Sequence, residues 1–166
     1  MELWQERFDS AVGPILLVTS QDRLYSLDFQ GYRDRMLGLL RKRHGSVQLT
    51  DRRDPSPAFK AVESYFAGVL NAFQSVPLSV DGTDFQNQVW RELMRIKPGT
   101  TSSYGAIAEK MGKPGASRAV GMANRSNPIA LAILCHRVIA ANGSLGGFAG
   151  GIEKKEWLLN HERKWA

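Results

Sequence analysis

The chain has 166 residues, 43% of them hydrophobic and 23% charged, which suits one globular domain or two small ones and excludes collagen-like and low-complexity classes. A single cysteine excludes an internal disulfide and a four-cysteine metal site, and three histidines leave little for a Cys/His zinc cluster, so no metal is expected; as a separate expectation, no cofactor is needed. The net charge of +6 is lopsided, +1 over residues 1–80 and +5 over residues 81–166, and a basic second half suits a phosphate backbone.

In chain order, Leu3 to Phe8, Pro14 to Thr19 and Leu24 to Phe29 read as short strands, with Val12-Gly13-Pro14 and Ser20-Gln21-Asp22 as turn chemistry between them. In the third, Leu24, Ser26 and Asp28 alternate with Tyr25, Leu27 and Phe29, the pattern of a half-buried strand. Arg33 to His44 reads as a helix whose Arg41-Lys42-Arg43 end complements the helix dipole and which Gly45 stops. Residues 50–57 read as a polar linker, after which Ser56 caps a helix from Pro57 to about Ala67. Ser75 to Val80 is expected to be a last short strand. No stretch of 18 apolar residues occurs, and Met1 to Phe8 lacks an apolar signal core, so no membrane partner and a cytoplasmic location are expected.

From Asp81 the texture changes. Gly82-Thr83-Asp84 opens a helix with Phe85, Val89, Leu93 and Ile96 along one side, and Pro98-Gly99 ends it. Two short helices follow, Tyr104 to Met111 and Ala116 to about Asn124, joined by Gly112-Lys113-Pro114-Gly115. That is the helix-turn-helix pattern, and Lys110, Lys113, Arg118 and Arg125 place positive charge on it. Asn127-Pro128 leads into the apolar run Ile129 to Leu134, then Cys135-His136-Arg137. Asn142-Gly143 marks a turn, and Gly146 to Gly151 has four glycines in six residues, a composition neither helix nor strand favours. Glu153 to Arg163 closes the chain as an amphipathic helix. The division expected is 1–80 as an α/β domain with its connecting segment and 81–166 as a mainly helical domain.

Cys135 by itself reads as a buried, inert thiol. His136 and Arg137 beside it, and a glycine-rich loop able to bring backbone N–H groups to a small ligand, point instead to a nucleophile with a proton acceptor at hand. In extended backbone the two side chains face opposite sides, so His136 would reach the sulfur around the chain or through a water.

Several ordered motifs together resemble the O6-alkylguanine-DNA alkyltransferases, also called methylated-DNA–protein-cysteine methyltransferases. They are Phe85-Gln86 with Val89-Trp90, Ser103-Tyr104-Gly105 with Ala108, Pro114-Gly115-Ala116 with Arg118-Ala119-Val120-Gly121 and Ala123-Asn124, Asn127-Pro128-Ile129 with Leu134-Cys135-His136-Arg137-Val138-Ile139, and Lys155-Glu156-Trp157-Leu158-Leu159 with His161-Glu162. The likeness runs from about Thr83 to Glu162; residues 1–80 resemble the family's ribonuclease-H-like α/β domain in outline.

The resemblance implies direct-reversal DNA repair: docking in the minor groove of double-stranded DNA, flipping of an O6-alkylguanine (with O4-alkylthymine as a second substrate to test), and irreversible transfer of the alkyl group to Cys135. It implies that His136 takes the thiol proton through a water, that Glu162 orients His136, that Tyr104 donates to guanine N3, and that Asn127 ties the turn before the cysteine. Arg118 would fill the emptied stack, Ala119, Gly121 and Ala123 would allow close approach, and Ser103 and Arg125 would join the DNA contact. Cys135, Leu145, Phe148, Ala149 and Gly150 would line the alkylguanine pocket. Leu134, Gly147 and Phe148 depart from the family's usual proline, side-chain-bearing residue and tyrosine, which suggests a roomier pocket. A monomer in solution is expected, with cooperative assembly on DNA as a further possibility. The competing readings are a non-catalytic helix-turn-helix module with a structural cysteine and a Cys-His hydrolase.

Overall fold

The structure, a computed structural model, describes residues 1–145 and 151–166. The first three strands lie where the alternation placed them: β1 (Glu2–Ser10), β2 (Gly13–Thr19) and β3 (Leu24–Phe29). They pair as an antiparallel meander. Helix α1 (Arg33–His44) follows, and then β4 (Gln48–Asp51), which pairs in parallel with β1, so the sheet order is β3-β2-β1-β4. The start of the expected linker is therefore a strand. Its local sequence is polar because it is an edge with little apolar surface to cover, and only pairing with β1 defines it.

The pleat of β2 divides the interior. Leu16 and Val18 meet Met36 and Leu40 of α1 on one face, while Ile15 and Leu17 enter a larger cluster on the other. Strand β3 departs from the half-buried pattern, because its polar residues Ser26 and Asp28 are buried too. Both sides of that strand are covered. Along its edge, Leu27 N–H donates to the Pro128 carbonyl (3.1 Å) and Ala130 N–H donates to the Leu27 carbonyl (3.0 Å).

Helix α2 (Pro57–Phe66) starts at Ser56, whose hydroxyl accepts from the Phe59 N–H at 3.1 Å, with Pro57 at the first helical position. Ser56→Ala should lower stability by about 1 kcal/mol, read as a shifted urea midpoint with unchanged slope; an unaltered midpoint would remove the cap from the account. The strand expected over Ser75–Val80 is not formed. Residues 72–75 make a 3-10 turn, and one bridge, Leu78 to Leu24, is all that pairs.

Helix α3 (Asp84–Met94) begins with a reciprocal cap: Thr83 Oγ1 accepts from Gln86 N–H, and Gln86 Oε1 accepts from Thr83 N–H. After the two-residue strand β5 (Ser102–Ser103) come α4 (Tyr104–Lys110) and α5 (Ser117–Arg125), the expected helix-turn-helix. Gly112, at φ +73°, ends α4 in left-handed backbone, which a side chain would strain. Trp90 Nε1 donates to the Ala123 carbonyl at 2.9 Å and sets α3 against α5. Strand β6 (Val138–Ile139) pairs in parallel with β5, and α6 (Ile152–Trp165) closes the chain. The larger apolar cluster runs from Val12 through Tyr65, Val89 and Val120 to Leu158, so both halves of the chain pack on one interior. Among the described residues no helix is long and apolar enough to cross a membrane.

Candidate active site

The apolar run before Cys135 is a buried chain of tight turns rather than a strand. Asn127 closes it from within: its Nδ2 donates to the Ile133 carbonyl (2.8 Å) and its Oδ1 accepts from Ile129 N–H (2.9 Å). Leu131, at φ +68°, is the one non-glycine among the described residues in left-handed backbone, a conformation disfavoured for a side-chain-bearing residue and held by this closed turn. Cys135–Arg137 then form a 3-10 turn. The expectation that Cys135 and His136 sit in extended backbone is thus corrected, since a 3-10 turn rotates successive side chains by about a third of a circle.

Cys135 is 7% exposed, and His136 and Glu162 are fully buried. His136 Nε2 lies 2.5 Å from Glu162 Oε2, and Arg137 Nε donates to Glu162 Oε1 at 2.6 Å. Arg137 Nη1 donates to the Ile96 carbonyl, which ties the pair to the end of α3. With Nε2 engaged, His136 Nδ1 is buried and has no hydrogen-bond partner among the described residues. Burial pushes the Glu162 carboxyl up, but the hydrogen bonds and charges of His136 and Arg137 outweigh it and hold the group down at about 2. Burial also draws His136 below its ordinary value despite Glu162. The carboxylate is therefore ionised opposite the guanidinium, and the imidazole is neutral, the form that accepts a proton. The thiol is pushed up by burial to about 11, with the Asn127 side chain, Arg35 and Lys155 pulling the other way, so it rests protonated at neutral pH.

Four contributors escaped the sequence reading. Tyr65 of α2 donates its hydroxyl to Glu162 Oε2 at 2.6 Å. Lys155, fully buried on α6, donates from Nζ to the Val138 carbonyl at 2.5 Å. It stands at a stripe position, seven residues before Glu162 and three before Leu158, and a charge inside an apolar stripe was the signal available. Arg35 of α1 pairs with buried Asp28 at 2.7 Å and donates to the carbonyls of Arg125 and Asn127, clamping the end of α5 to the sheet. Met122, 68% exposed, is the fourth.

Met122 belongs to a second region. Tyr104, Ser117, Arg118, Gly121, Met122 and Arg125 line an open cleft of about 450 Å³ on the outer side of the helix-turn-helix. Arg118, Ala119 and Arg125 are exposed, and Tyr104 is partly buried. Ala123 departs from its expected place. It is buried on the opposite side of α5, against α3, and so offers no outer surface. Ser103 spends its hydroxyl capping α4, accepting from Ala106 N–H at 3.1 Å. Leu145 is partly buried beyond the Asn142-Gly143 turn, while Phe148, Ala149 and Gly150 lie outside the described residues.

A buried thiol followed in the chain by an imidazole–carboxylate pair, with a basic helix-turn-helix on the outer face, combines the parts of a thiol with a proton acceptor and of a surface for DNA. Residues 5–80 match the 6-O-methylguanine DNA methyltransferase ribonuclease-like domain, and residues 84–164 match the 6-O-methylguanine DNA methyltransferase DNA binding domain. The methylated-DNA–protein-cysteine methyltransferase of Shigella flexneri is 39% identical over 165 residues, covering 98% of this chain and 96% of its own. That of Mycobacterium tuberculosis is 43% identical over 158 residues, covering 95% and 91%. Among solved structures, Mycobacterium tuberculosis OGT in complex with DNA superposes with a TM-score of 0.79 at 37% identity, covering 100% of this chain and 95% of that one. The O6-methylguanine-DNA methyltransferase of Pyrococcus kodakaraensis gives 0.76 at 26% identity, covering 96% and 98%. The chain belongs to the O6-methylguanine-DNA methyltransferase family.

Proposed function

We propose that this protein repairs O6-alkylguanine in duplex DNA by moving the alkyl group to Cys135, once per molecule. It is a methylated-DNA–protein-cysteine methyltransferase, a direct-reversal repair enzyme that binds DNA. The observation that carries the residue assignment is the His136–Glu162 pair at 2.5 Å, buried immediately after the only cysteine. Residues 1–80 form the α/β domain and 81–166 the DNA-binding and transfer domain. The lone thiol fits a reducing compartment such as the cytoplasm, and the protein acts as a monomer.

The sulfur attacks the O6-bound carbon in line: the S–C bond forms as the C–O6 bond breaks, and the electron pair leaves with guanine. The thiol is neutral at rest, so its proton must depart as the bond forms. His136 Nδ1 receives it through a water, while ionised Glu162 holds the ring by Nε2 and steadies the imidazolium. Tyr104 donates its hydroxyl to guanine N3 as the leaving base gains charge. The thioether has no low-barrier return path, hence one turnover. The alkylated base reaches the sulfur by flipping, which costs a few kcal/mol of unstacking. Arg118 enters the gap, the exposed Ala119 and the half-buried Gly121 allow the helix close to a minor groove whose degenerate code suits sequence-independent repair, and Arg125 pairs with phosphate. The carbonyls of Cys135 and Leu145 accept from the exocyclic amine of guanine.

Intact-protein mass spectrometry after incubation with a duplex carrying one O6-methylguanine should show a stoichiometric gain of one methylene, mapped to Cys135 and lost in Cys135→Ala. Binding without a mass gain would leave only a DNA-binding module, and multiple turnover of an ester would favour a hydrolase.

A further inference from the structure

We infer that Tyr65, supplied by the N-terminal half, is a positioning residue of the transfer site: its hydroxyl shares with His136 one oxygen of Glu162 and so sets how tightly the imidazole holds a proton. The inference rests on the transfer reaction proposed above. Glu162 Oε2 meets two groups, the Tyr65 hydroxyl at 2.6 Å and His136 Nε2 at 2.5 Å, while Oε1 receives Arg137 Nε at 2.6 Å. Tyr65 is fully buried. Its ring packs against Phe66, Phe73 and His161. Its backbone carbonyl accepts from His161 Nε2 at 2.7 Å, so consecutive residues of α6 grip Tyr65 at both ends.

A structural tyrosine needs only some acceptor for its hydroxyl. This one has taken the oxygen that orients the proposed base. Burial and the adjacent carboxylate push its ionisation far above the ordinary range, so it stays a donor at any working pH. A neutral donor on Oε2 draws charge density away from the His136 contact without cancelling the carboxylate's charge. Around the ring, Arg137 on the same turn and Lys155 on α6 add positive charge and favour the neutral imidazole, while Glu162 alone favours the protonated form. Tyr65 therefore trims the one interaction that would lock His136 as imidazolium and cost it its role as acceptor.

Tyr65→Phe keeps the ring and removes the donor. The His136 ring titration, followed by NMR, should move upward by about half to one pH unit, and the acidic limb of the methyl-transfer rate profile should move with it. Placing 3-fluorotyrosine at position 65, a stronger donor of the same shape, should shift both the opposite way. In a Glu162→Gln background, Tyr65→Phe should shift neither, because the hydroxyl acts through the carboxylate. An unmoved His136 titration in folded Tyr65→Phe protein, or an equal shift without the carboxylate, would overturn the role. A moved titration in a protein that never gains a methyl would refute the transferase reading and leave the Tyr65–Glu162–His136 coupling standing.

Discussion

Glu162→Ala is expected to destabilise the fold by about 3–5 kcal/mol at neutral pH, the cost of leaving a buried charge without its partner. Arg137 is the charge left behind. It is 1% exposed, its Nη1 bond to the Ile96 carbonyl carries no counter-charge, and its Nη2 has no partner among the described residues. The Tyr65 hydroxyl and His136 Nε2 lose their acceptor in the same step. The pH dependence has a definite sign. The Glu162 carboxyl sits at about 2 in the fold against an ordinary 4.5, so its contribution is fully present above about 4.5 and drains away as the pH falls toward 2. Urea unfolding should therefore show a wild-type advantage over Glu162→Ala that is constant near neutrality and shrinks across the acid range. An advantage equally large at both ends would mean that the carboxylate charge is not its source. Glu162→Gln, which keeps an acceptor and removes the charge, should be milder in stability and slow methyl transfer by about 10²–10⁴-fold while sparing DNA affinity.

Arg118→Ala should give the converse phenotype. Arg118 is the second residue of α5 and stands exposed at the cleft beside Met122 and Tyr104. If its side chain fills the gap left by the flipped nucleotide, its loss should weaken binding to a lesion-bearing duplex by about 1–3 kcal/mol, roughly 5- to 150-fold. Reaction with free O6-benzylguanine, which needs no flipping, should be unaffected. Fluorescence anisotropy on lesion and undamaged duplexes, together with inactivation by the free base, separates the two effects. Equal loss toward the free base would place Arg118 in the chemistry or the fold instead. Together the two substitutions test the proposed division of labour between a buried cluster that handles the proton and an exposed helix that handles the duplex.

Much of the scaffold was readable along the chain. The end of α1 follows from its basic last turn and Gly45, and the start of α2 from Ser56 and Pro57, because caps act within one turn of their own sequence. The helix-turn-helix was legible for the same reason. Strand β4 and the 3-10 turn at Cys135 were not, since each is defined by a distant partner: β4 by β1, and the cysteine turn by the packing around Asn127 and Ile133. Ala123 was misplaced because small residues carry little facial information until the helix has a neighbour. Nothing local to Asp28 on β3 or Arg35 on α1 marks them; only the approach of residues 125–127 makes them a clamp.

The sequence by itself determined the order of the elements, the single thiol with its adjacent imidazole, and the family to which those motifs belong. Tertiary structure alone decided that Tyr65, from a helix 97 positions before Glu162, and Arg137, 25 positions before it, converge on that carboxylate with His136. The reason is physical. Capping and periodicity are local energies written in neighbouring residues, whereas the proton affinities of a buried cluster arise from lost water and from partners that meet only when the chain has closed on itself.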